Sequence, residues 1–223
     1  MQKFDTPSPV TAVLDIPAGR IQFIAADRTD TCVEILPTDK SKTRDIKAAE
    51  QTTVAYADGV LRIEAAAAKN RILGNSGSVE VTVQLPAGSP IEAKTAATEL
   101  RGVGRLGDVT FDGAQGTVKL DETASAHLTL QAGDILIGRL TGPAQISTQK
   151  GDLNIAEATS GTVELRTESG DITIGAARGT SATLDAGTTY GRIHNTLKNT
   201  DGANAALTIQ ATTSYGDITA RSL

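Results

Sequence analysis

The sequence predicts an all-β chain wound as a single-stranded β-solenoid, or β-helix, with coils of about 20 residues. Three observations carry this. A Gly-Asp-apolar phrase restarts at Gly133-Asp134-Ile135, Gly151-Asp152-Leu153 and Gly170-Asp171-Ile172, at spacings of 18 and 19 residues. Each restart is followed by runs in which apolar and polar residues alternate, the period of a strand with one buried face. The composition fits narrow β-coils: 22 Gly for tight turns, with only three Phe, three Tyr and no Trp, so Val, Ile, Leu, Ala and Thr must build the core. An immunoglobulin-like sandwich would also alternate, but it has no reason to restart with Gly-Asp at every second turn.

The elements follow in order. Residues 1–90 read as a looser β region and residues 91–223 as regular repeats, the two forming one continuous domain. In the first region Leu14/Ile16, Ile21/Phe23 and Val33/Ile35 mark three strand faces, with a turn at Pro17-Ala18-Gly19. The run Val79, Val81, Val83, Leu85 ends in the matching phrase Leu85-Pro86-Ala87-Gly88. Between them, residues at about 39–51 (DKSKTRDIKAAEQ) form the one short helix, packing through Ile46, Ala48 and Ala49. So short a helix is marginal alone, and covering the open end of the β-stack would give it the contacts it needs. Val54–Glu64 reads as a hairpin around Asp58-Gly59, and Ala65–Gly77 as a surface loop.

From Ile91 the repeat tightens. Gly107-Asp108-Val109 opens the series, and Gly191-Arg192-Ile193 and Gly216-Asp217-Ile218 continue it at spacings of 21 and 25. Pairs such as Val118/Leu120, Leu128/Leu130, Val163/Leu165 and Leu207/Ile209 supply the second strand of each coil, and NTDGANAA before Leu207 is extra loop. Successive coils should stack about 4.8 Å apart through parallel ladders.

These restarts, with the opening DTPSPVTAVLDIPAGRIQFIAADRTDT, the charged DKSKTRDIKAAEQT and the ending TTSYGDITARSL, resemble the DUF4097 proteins. In particular they resemble the leaderless actinobacterial type, which shares the phrases Tyr190-Gly191-Arg192-Ile193 and Tyr215-Gly216-Asp217-Ile218. The resemblance spans essentially the whole chain. It implies a β-solenoid of strand repeats, in a family whose members are often labelled candidate adhesins, and it implies no activity.

The residues themselves point to a non-catalytic scaffold or binding protein that self-associates, with no cofactor. The structural turn motif comprises Gly107, Asp108, Gly133, Asp134, Gly151, Asp152, Gly170, Asp171, Gly191, Gly216 and Asp217. If its aspartates stack at one corner, Asp134, Asp152 and Asp171 become a candidate calcium column, since Ca²⁺ takes several oxygen ligands. Turn chemistry explains them more simply, because Asp accepts hydrogen bonds from nearby backbone N–H groups. Arg192, fifth of the six restarts, would interrupt such a column. A carbohydrate-active or calcium-dependent β-helix enzyme is the alternative function, and it lacks the aromatic platforms that sugar rings need.

His127 and His194 sit in different repeats, with no nucleophile motif or metal-ligand spacing beside them. Cys32, the single cysteine, reads as a small strand residue and suits a reducing, cytoplasmic compartment. Gly102-Val103-Gly104-Arg105-Leu106-Gly107 matches Gly-x-Gly-x-x-Gly but leads into a strand, so a phosphate cradle lacks its helix N-terminus. Tyr190 and Tyr215 occupy equivalent places and should stack. A net charge of −5 with mixed signs argues against nucleic acid, and no segment has the apolar length of a membrane span or export signal. The last coil, ending at Leu223, should leave an open edge at which a second copy pairs to form a homo-oligomer.

Overall fold

A computed structural model of the chain describes residues 1–66 and 77–223. Its strands join in one hydrogen-bonded ladder that coils along the chain, antiparallel at the N-terminal end and parallel beyond it. Most of the loop expected over Ala65–Gly77 falls outside the described residues.

Strands β1 (Gln2–Asp5), β2 (Thr11–Ala26) and β3 (Asp30–Pro37) precede helix α1 (Thr43–Gln51), and β4 (Thr53–Ala57), β5 (Val60–Glu64) and β6 (Val79–Pro86) follow it. The long β2 is the base of the stack. Its first half pairs in parallel with β5 (Thr11↔Val60), its second half with β6 (Gly19↔Val79), and both halves with β7 (Ile91–Gln115). The expected turn at Pro17-Ala18-Gly19 is therefore a corner inside a paired strand, with Ile16, Ala18 and Gly19 opposite Thr95, Ala97 and Thr98.

Antiparallel strands close this end. β4 folds back on β5 through Asp58-Gly59, both with positive φ (51° and 77°), as a two-residue hairpin turn demands. β3 runs antiparallel to β6, and β1 antiparallel to β3. Helix α1 packs on β3 and β6 through the half-buried Ala48 and Ala49. It starts later than the sequence suggested, because the Asp39 carboxylate accepts the N–H (2.9 Å) and Oγ–H (2.6 Å) of Ser41 and holds the preceding residues in a turn. The Asp45 carboxylate is buried and accepts the Ser78 N–H at 3.0 Å, tying helix to sheet.

The repeats continue through β8 (Val118–Ala132), β9 (Ile135–Leu140), β10 (Ala144–Lys150), β11 (Leu153–Ala158), β12 (Gly161–Ser169), β13 (Ile172–Ala176), β14 (Ala182–Tyr190), β15 (Ile193–Thr196), β16 (Leu207–Tyr215) and β17 (Ile218–Ser222). Each coil contributes one strand to each of two faces, and period-2 alternation turns its apolar residues inward. Leu128, Ile146 and Leu165 stack on one face and Ile155 and Ile174 on the other, all at most 1% exposed. Burying each such side chain contributes about 1.5–3 kcal/mol. One apolar cluster runs unbroken from Val10 to Ala220.

The order of the last coils departs from chain order. β16 lies between β12 and β14, with Ile209 opposite Val163 on one side and Leu184 on the other. β17 likewise lies between β13 and β15, with Ile218 opposite Ile172 and Ile193. The chain thus climbs two levels after β13, builds the coil of residues 182–196, then returns through residues 197–206 to fill the level below. This corrects the expected position of the open edge. The last coil is interior, and the coil before it ends the stack.

The corners explain the glycines. Gly151 has φ 146°, and a Cβ there would sit 2.1 Å from the Gly133 carbonyl oxygen of the coil below. Both the dihedral and the contact exclude a side chain. Gly151→Ala should therefore lower unfolding stability by about 2 kcal/mol or more in urea denaturation. Gly187→Ala, where a Cβ meets nothing within 4 Å, should change it by no more than about 0.5 kcal/mol.

Candidate functional site

The Gly-Asp corners form a ladder. Asp134 Oδ1 accepts the N–H of Asp152 (2.9 Å), Asp152 that of Asp171 (2.8 Å), Asp171 that of Asp217 (2.8 Å) and Asp217 that of Arg192 (2.8 Å). The spatial order is 134, 152, 171, 217, 192, so Arg192 terminates the column and does not interrupt it. Its guanidinium folds back on the Asp217 carboxylate (3.1 Å), and its backbone and side-chain hydrogen bonds hold that carboxyl below its usual pKa. Each carboxylate supplies the acceptor for an N–H one coil away. Asp134, Asp152 and Asp171 do stand in one column with exposed side chains, as the calcium alternative requires. Among the described residues no group of three or more His, Cys, Asp or Glu side chains is arranged to hold a metal ion.

Asp108 is not a member. The level below Asp134 holds Thr117, because Val118 pairs with Ile135. Gly107-Asp108 lies within β7 at the opposite corner, where Asp108 accepts the Ser125 hydroxyl at 2.6 Å. The Gly-Asp dipeptide alone did not distinguish the two corners.

A threonine stands three residues before four of the five corner glycines, Gly151, Gly170, Gly191 and Gly216, whereas Gly133 has Leu130 there. Thr167 donates its hydroxyl to the Gly151 carbonyl (3.1 Å), Thr213 to Gly170 (3.1 Å) and Thr188 to Gly216 (3.0 Å). Thr148 occupies the same place before Gly151 and is also buried. Thr-x-x-Gly is therefore shared by most of these corners, and it is Asp or Arg that follows the glycine. At the opposite corner Thr123 bonds the Gly107 carbonyl (2.7 Å) and Thr159 the Thr141 carbonyl (3.1 Å).

The end coil is the most exposed part of the stack. All of β15 is exposed, and Ile193 is 46% accessible where its neighbour Ile218 is fully covered. Leu184 and Ala186, inward residues of β14, are only half-buried. Tyr190 and Tyr215 stack as expected, with centroids 5.0 Å apart and planes within 7°, yet remain 64% and 59% exposed. Among the described residues, no strand lies beside the outer edges of β14 and β15, each of which pairs with the inserted coil.

The remaining sequence candidates stay apart. His127 and His194 are exposed on β8 and β15. Cys32 is half-buried in β3, paired between Lys3 and Gln84, with the Arg28 guanidinium 3.4 Å from its sulfur. Gly102 to Gly107 lies inside β7, without a helix. Beside Cys32, Asp30 bridges Arg28 (2.7 Å) and Lys3 (2.8 Å), and hydrogen bonds from Arg28 and then Lys3 lower its pKa to about 2.

The family model described as Toastrack DUF4097 matches residues 13–221. Among solved structures, a candidate adhesin from Bacteroides fragilis superposes with a TM-score of 0.62 at 16% identity, covering 98% of this chain and 95% of that one. A candidate lipid-binding protein from Parabacteroides distasonis gives 0.45 at 11% identity, covering 98% and 95%. The first likeness establishes the shared fold. No curated protein matches the chain.

Two outcomes test this geometry. Asp152→Ala removes the acceptor for the Asp171 N–H and should cost about 0.5–1.5 kcal/mol, whereas Asp152→Asn keeps an oxygen there and should cost less. Asp30 titrates near 2 in the native state, below its ordinary 3.8, so its contribution is complete above about pH 4 and fades as pH falls toward 2. Asp30→Asn should flatten that part of the stability-against-pH curve measured by urea denaturation.

Proposed function

We propose that this chain, which belongs to the Toastrack DUF4097 family, is a non-catalytic β-solenoid scaffold that acts by binding and associates with a second copy of itself. The observation that carries this reading is the end coil. Two adjacent strand edges, those of β14 and β15, lie open beside Tyr190, Ile193 and the half-buried Leu184 and Ala186. Open edges are templates for pairing with another chain unless something blocks them. Arg192 restricts how pairing occurs. It offers no carboxylate to the N–H of a further Gly-Asp coil, so a parallel continuation of the ladder finds no acceptor. A second copy turned over, with its end coil antiparallel to this one, requires no such acceptor and forms a closed two-fold pair.

A binding role is supported by the Bacteroides fragilis relative, itself a candidate adhesin. The dispersion of the chemically capable side chains supports it too: the two histidines and the cysteine lie on different strands, and the carboxylates of the corner ladder are engaged by backbone. Among the described residues no helix is long and apolar enough to cross a membrane. With Cys32 as its one thiol, a cytoplasmic setting belongs to the same reading.

Light scattering over 1–100 µM (roughly the range in which weak edge pairing is populated) should give twice the chain mass. Ile193→Lys should return it to the monomer mass without changing the circular dichroism. A wild-type monomer throughout that range would overturn the self-association.

A further inference from the structure

The inverted order of the last two coils has a cause that can be read residue by residue. The coils of 182–196 and 207–222 carry the same phrase, Thr-x-Tyr-Gly-x-Ile, and either could stack on β12 and β13. The connections allow both orders. Residues 177–181 would rise one level instead of two, and residues 197–206 would rise one level instead of descending one. Something must choose between them.

Three aligned differences do so. At the corner, the inserted coil has Asp217 where the end coil has Arg192. Asp217 receives the Arg192 N–H and passes its own N–H to Asp171. Exchanged, Arg192 would leave the Asp217 N–H without its carboxylate. On the second face, Ala220 of the inserted coil is fully buried beside Ile174, and its counterpart is Asn195. Exchanged, an amide would lie inside the apolar stack, where an unpartnered polar group is costly. At present that amide is exposed and accepts the Leu197 N–H at 2.9 Å. On the first face the inserted coil presents Leu207 and Ile209 opposite Ala182 and Leu184, so the bulkier apolar pair takes the covered position.

We infer that Arg192 and Asn195 assign the coil of residues 182–196 to the end of the stack, and so decide which strand pair the protein offers to a partner. They work by exclusion: each is harmless in solvent and wrong at an interior level. The end coil is thus a dedicated terminal repeat that comes before the coil it covers in sequence. The inference concerns the order of coils within one molecule and holds whether or not the protein self-associates.

The order can be read by disulfide trapping in a Cys32→Ser background. Glu164 and Gln210 are cross-strand neighbours, as are Gln210 and Asp185, and all three side chains are exposed. Glu164 and Asp185 are therefore two levels apart, about 9.6 Å, beyond the roughly 7 Å that a disulfide spans between Cα atoms. Glu164→Cys with Gln210→Cys should oxidise to a link within one chain, and Glu164→Cys with Asp185→Cys should not. Adding Arg192→Asp and Asn195→Ala should let the second pair form that link at the expense of the first. If the second pair stays reduced in this background while the first still oxidises, the inference is wrong. Loss of the β-sheet circular dichroism in the double variant would equally overturn it, since both altered side chains are placed in solvent.

Discussion

Everything in the stack depends on how closely one coil can lie on the next at the Gly-Asp corner. The carbonyl of each corner glycine points at the α-carbon of the glycine above, closer than any Cβ permits. That approach brings the Asp carboxylate within 2.8–2.9 Å of the next coil's N–H and the threonine hydroxyl onto the glycine carbonyl. Three residues of Thr-x-x-Gly-Asp thus solve one problem: how a chain reverses between two faces without leaving backbone groups unpaired. The apolar residues supply the gross stabilisation, and the corner sets their register.

The same corner accounts for what a reader of the sequence sees and misses. The restarts at 133, 151 and 170 fix the architecture because only a coiled chain needs one corner repeatedly. Alternation identifies the inward residues because a strand has a period of two. Coil order is harder to see. Chain order and spatial order agree from β7 to β13, so extrapolation makes the last coil the edge and turns Arg192 into an interruption. Nothing in the local pattern of residues 182–222 announces the inversion. It emerges only when Arg192 is compared with Asp217 and Asn195 with Ala220 as rivals for one slot. Asp108 misleads for the converse reason: its dipeptide is right, but it falls at the opposite corner, opposite Ser125 inside β7.

The two ends of the molecule meet the problem of exposed edges differently. At the N-terminal end the ladder changes from parallel to antiparallel, and β1, β3, β4 and α1 surround the base strands. At the other end the stack stops on a coil whose residues tolerate water on one side and whose Arg192 closes the aspartate ladder, while its strand edges stay open. A surface of that kind suits a protein whose work is contact. The corner aspartates spend their carboxylates on the N–H groups of neighbouring coils.

Native-state hydrogen exchange resolved by residue tests the architecture most directly. If the last coil is interior, the amides of residues 207–222 that pair with neighbouring strands exchange more slowly than those of residues 182–196. Faster exchange in residues 207–222, with residues 182–196 protected, would contradict the inverted order and the role of the corner ladder in producing it.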